Sequence, residues 1–79
     1  MNKAYSIYRN AKKSLKTAAD ECKRTTSKTD KPYIRQVIND QADSMIKQIN
    51  WHAMKETISQ RQAQMFSNWL SSYAADLHP

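Results

Sequence analysis

The sequence predicts an all-α protein, a small three-helix bundle, and three observations lead there. Glycine is absent and proline occurs only at Pro32 and Pro79, so the residues that supply positive φ for hairpin turns and phosphate-cradling loops are missing. Apolar side chains recur at intervals of three and four, and no stretch alternates apolar with polar for long. With 79 residues the chain is read as one helical domain, 1–79. At that size only about 60% of the unfolded surface can be buried, so the core is thin.

The first element is a helix over about residues 3–25. Ala4, Tyr8, Ala11, Leu15, Ala18 and Cys22 alternate spacings of four and three, a heptad seam in which the alanine row allows close approach of a neighbour. Lys23 and Arg24 fall in the last turn, where positive charge suits the helix dipole. The polar stretch from Thr25 to Pro32 is the one composition break and is read as a loop. Asp30 or Thr29 is positioned to cap the next helix, and Pro32 fits its first turn.

Beyond Tyr33 no glycine or proline marks a boundary before Pro79, so the break must be found by phase. At 100° per residue, Ile34, Val37, Ile38, Ala42, Met45 and Ile49 share one face, while Trp51, Met54, Ile58, Met65 and Trp69 lie roughly opposite. A straight helix cannot turn both sets toward one core. A turn near Asn50 resolves this, giving helix 2 at about 32–49 and helix 3 at about 51–77. The Thr57-Ile58-Ser59-Gln60 stretch matches a capping box and offers a later break. The alternative is a helical hairpin with one long C-terminal helix that self-associates through its second face. Either way, most of the set Trp51, Met54, Met65, Phe66, Trp69 and Tyr73 is expected to be core, since few other side chains are as large.

These features argue against an enzyme. A thin core leaves little room for the dry, rigid pocket that catalysis requires. Cys22, His52 and His78 show neither CxxC nor HxxxH spacing, so no metal site and no cofactor are expected. Cys22 lies on the seam of helix 1 and reads as a small core residue. Asp40 and Asp43 share a face, but Lys47 four residues on makes a surface ion pair the better reading than a catalytic dyad. A lone cysteine in so small a chain fits the reducing cytoplasm, and neither a signal peptide nor a membrane-spanning run is read in the sequence.

The charge is the sharpest functional signal. The net +6 sits entirely in residues 1–28, where eight Lys and Arg face only Asp20 and Glu21. Arg9, Lys16 and Lys23 recur every seven residues, flanked by Lys12 and Lys13, and such a row can track phosphates without reading bases. Tyr5 and Tyr8 stand near these charges as candidates for base stacking, although both also suit the apolar end of helix 1. A second surface, Gln60, Gln64, Ser67, Asn68 and Ser71, is polar and almost uncharged, and with Trp51 it forms a candidate protein interface.

The expected function is therefore non-enzymatic binding. The basic helix would contact the phosphate backbone of nucleic acid, or the acidic or nucleic-acid-facing surface of a larger protein complex. The alternatives are a protein-binding inhibitor or adaptor encoded by a phage or other mobile element, and a self-assembling structural protein, a possible homo-oligomer. No membrane partner is expected, because the apolar side of helix 1 is largely alanine.

Overall fold

A computed structural model describes residues 3–79 and shows a three-helix bundle: α1 (Lys3–Thr25), α2 (Lys31–Met54) and α3 (Gln60–Leu77). The helices run up, down and up. Ile7 and Ser14 of α1 stand across a groove from His52 and Gln41 of α2. His78, just past α3, is 2.7 Å from Asn39 of α2, while Tyr8 of α1 packs on Phe66 and Trp69 of α3. The bundle is a rod of 42 × 20 × 17 Å, and its radius of gyration of 13.3 Å exceeds the roughly 12 Å of a rounder domain of this length. Among the described residues no helix is long and apolar enough to cross a membrane.

In α1 the buried line is Ala4, Tyr8, Leu15 and Ala19. The expected heptad seam is thus corrected: Ala11, Ala18 and Cys22 are only half-buried, and Ala19 occupies the place assigned to Ala18. A straight helix drifts about 20° per heptad against a strict seven-residue repeat. By the third repeat that drift has carried Ala18 off the contact and brought Ala19 onto it. Ile34, Ile38, Ala42, Ile49 and Ala53 of α2 and Ala63, Phe66, Leu70 and Ala74 of α3 complete the core. Each helix contributes two or more small core residues, Ala4 and Ala19, Ala42 and Ala53, and Ala63 and Ala74, and the core closes around Leu15, Ile38 and Leu70, all fully buried.

The break between α2 and α3 lies at residues 55–59 and not at Asn50, which remains inside α2. Local capping decides it. Glu56 adopts φ 60°, the left-handed conformation that ends many helices. The Thr57 N–H donates to the His52 carbonyl at 2.9 Å and the Glu56 N–H to the Ala53 carbonyl at 3.0 Å, the two bonds of a Schellman motif. Two residues later a capping box starts α3. The Gln62 N–H donates to Ser59 Oγ and the Ser59 N–H to Gln62 Oε1, each at 3.0 Å. The box therefore begins at Ser59, two residues beyond the Thr57 expected from sequence. Buried Ile58 and Ala63 occupy the positions of a hydrophobic staple around it.

Because α2 continues to Met54, Trp51 and Met54 stay on its outer side, 51% and 68% exposed. Met65 and Trp69 are also exposed and Tyr73 is half-buried, so of the expected aromatic and methionine core set only Phe66 is buried. At the other junction Asp30 holds the N-cap position of α2 without a side-chain cap bond. Ser27 and Thr29 instead bond one another at 2.9 Å within the loop.

Candidate nucleic-acid interface

The side of α1 that meets α3 carries Tyr8 at the edge of the core, and one step farther round come Lys12, Tyr5, Lys16 and Arg9. The helical repeat therefore sets the cations directly beside the α1–α3 contact. Arg9, Lys12, Lys13 and Lys16 line one open groove, together with Tyr5, Tyr8 and Tyr73. The Lys12 ammonium lies 4.8 Å from the centroid of the Tyr73 ring, a cation–π contact that joins the basic row to α3. Lys23 lies about two turns beyond Lys16 on the same side of α1, half-buried and outside the residues that line this groove. On the outer flank Arg9 and Lys13 also border a shallow depression with Ser6 and Asn10.

Lys16 differs from its neighbours. Its Nζ is 2.8 Å from Asp20 Oδ2, one turn along the exposed face. The hydrogen bond to Asp20, reinforced by its charge, raises the Lys16 pKa, and the same hydrogen bond lowers that of Asp20. Both side chains are well exposed, so the pair adds little stability. Its importance is local: a carboxylate stands inside an otherwise cationic groove.

An aromatic cluster forms the adjoining end. Tyr8 stacks on Phe66 with centroids 5.3 Å apart and planes at 14°, meets Trp69 edge-on at 5.2 Å, and has Tyr5 at 6.1 Å. Phe66 and Trp69 are 5.6 Å apart. The cluster thus runs from the buried Phe66 ring to rings that reach solvent, Tyr5 at 47% exposure and Trp69 at 42%. Tyr5 and Tyr8 stand out in the sequence as neighbours of the cations, but Trp69 and Tyr73 do not. Their i, i+4 spacing is visible, yet which face of α1 receives α3 depends on packing over a long sequence separation.

The second predicted surface is divided. Trp51 belongs to α2, where it meets His52 edge-on at 5.2 Å and has the Lys55 ammonium 5.8 Å from its ring. The polar group belongs to α3: Gln60, Gln64, Asn68 and Ser71 are exposed, and the Gln64 amide donates to Asn68 Oδ1 at 3.1 Å. Ser67 is an exception, half-buried with its Oγ enclosed and lacking a hydrogen-bond partner among the described atoms.

Cys22 is a free thiol, half-buried, with Sγ 3.7 Å from Thr26 Oγ1. His78, just past the end of α3, is hydrogen-bonded to Asn39 of α2. Among the described residues no three His, Cys, Asp or Glu side chains are grouped to hold a metal ion. The chain matches no protein-family model, no curated protein and no solved structure.

Proposed function

We propose that this protein is a non-enzymatic binding protein that grips the phosphate backbone of nucleic acid through the α1–α3 groove. The observation that carries this reading is the convergence of Arg9, Lys12, Lys13 and Lys16 on one open, solvent-facing groove. Cations arranged along a helix neutralise phosphates and release condensed counterions without reading bases. Three to four such contacts, depending on how far Lys16 is shared with Asp20, correspond to a slope of log K against log salt of roughly −3 to −4 on duplex DNA, and somewhat less on a single strand. The free thiol agrees with a reducing cytoplasm as its place of action.

The test is charge reversal. Replacing Lys12, Lys13 and Lys16 with Glu should abolish binding to duplex and single-stranded oligonucleotides in fluorescence anisotropy, along with its salt dependence. Unchanged affinity for both would rule this function out.

A second reading, a protein-binding inhibitor or adaptor, is favoured by the exposure of Trp51 and Met54 at the far end of α2. An exposed tryptophan beside a methionine is the material of a hot spot. Affinity purification after nuclease treatment should then yield one stoichiometric protein partner, which Trp51→Ala would release; recovery of nucleic acid alone would remove the idea.

A further inference from the structure

We infer that the groove and the aromatic cluster at its end are built for single-stranded nucleic acid, its bases stacking on Tyr5 in the groove and on Trp69 beside it while its phosphates lie along Arg9, Lys12 and Lys13. The inference rests on the phosphate-binding reading above and adds the form of the ligand.

Three features support it. The first is interleaving. Tyr5 and Tyr8 lie on the same helix and in the same groove as the four cations, and Tyr73 closes the opposite wall with Lys12 over its ring. Backbone and bases of one strand would therefore meet suitable groups within a single short segment. From Arg9 to Lys16 the helix rises only about 10 Å, a span of a few nucleotides.

The second is presentation. Tyr5 and Trp69 flank Tyr8 and expose nearly half their surface, although each has aromatic neighbours that anchor it. A ring fixed on one side and open on the other is a stacking platform, and every base has a face to offer it. A duplex keeps its bases stacked on one another and offers such rings no free base face. An unpaired strand can turn its bases outward onto them.

The third is charge. Lys16 is engaged by Asp20, which leaves Arg9, Lys12 and Lys13 as the cations nearest the rings with no carboxylate bonded to them among the described contacts. That modest charge makes stacking a necessary share of the affinity and not an ornament to it.

The experiment compares three ligands of equal length on the full chain by fluorescence anisotropy at fixed salt: oligothymidine, a strand of abasic deoxyribose phosphates, and duplex DNA. Oligothymidine should bind about tenfold more tightly than the abasic strand, the effect of stacking worth about 1.4 kcal/mol. It should also outcompete the duplex and quench Trp fluorescence. Tyr5→Leu with Trp69→Leu should bring the thymidine and abasic affinities close together. Equal affinity for thymidine and abasic strands, or a preference for duplex, overturns the single-strand inference but leaves phosphate binding standing. No binding to any of the three overturns both. The abasic comparison uses the unaltered protein, so it decides the question even if the double variant fails to fold.

Discussion

Lys16 stands in competition between Asp20 and any phosphate that enters the groove. The 2.8 Å pair must open, or at least share its ammonium, before Lys16 can contribute to binding, and the carboxylate repels the ligand in the meantime. Asp20→Asn should therefore tighten oligonucleotide binding several-fold and steepen its salt dependence by almost one unit, measured by anisotropy across a salt series. The same substitution should barely change thermal stability, because the pair is exposed. The sign of its pH dependence follows from the two shifts. The lowered Asp20 pKa gives a contribution present above the ordinary carboxylate range and lost as pH falls through the lowered value. The raised Lys16 pKa gives one present below the ordinary lysine range and lost as pH rises through the raised value. Wild type and D20N should thus melt with a small, constant difference across neutral pH, closing only at the acid and alkaline ends.

Glu56 shows how the elements are separated in a chain without glycine. The position needs a left-handed backbone, and a residue with a Cβ holds it at a cost of about 1 kcal/mol. Glu56→Gly should relieve that cost and stabilise the protein by about 0.5–1 kcal/mol in chemical denaturation, with helix content unchanged; destabilisation would mean that Glu56 makes an interaction more valuable than the strain it bears. This junction is also where sequence periodicity gives out. The two faces of residues 32–77 are plainly legible, and Ile34, Ile38, Ala42 and Ile49 do point inward. Phase alone, however, cannot say whether Trp51 and Met54 begin a new helix or decorate the outside of the old one. Asn50 looks like the better stop because it tolerates positive φ, yet the hydrogen bonds of residues 52–57 and the Ser59–Gln62 box place the turn later. In α1 the repeat is equally clear, but only the drift of a straight helix reveals that Ala19 replaces Ala18.

At the scale of the whole molecule, an up-down-up rod places α1 and α3 side by side and parallel, and that arrangement creates the groove. The cations are readable from their spacing on one helix. Their aromatic partners Trp69 and Tyr73 are not, because they arrive from the last helix of the chain and only packing brings them in. The same packing leaves Trp51 and Met54 on the outer side of α2 and clear of the basic groove. The two candidate surfaces are therefore separable in one spectrum. Amide and side-chain chemical shifts followed by NMR during titration with oligothymidine should move at Tyr5, Arg9, Lys12, Lys13, Trp69 and Tyr73 and stay fixed at Trp51 and Met54. Shifts confined to the far end of α2, or none at saturating ligand, would contradict the assignment of the α1–α3 groove as the binding surface.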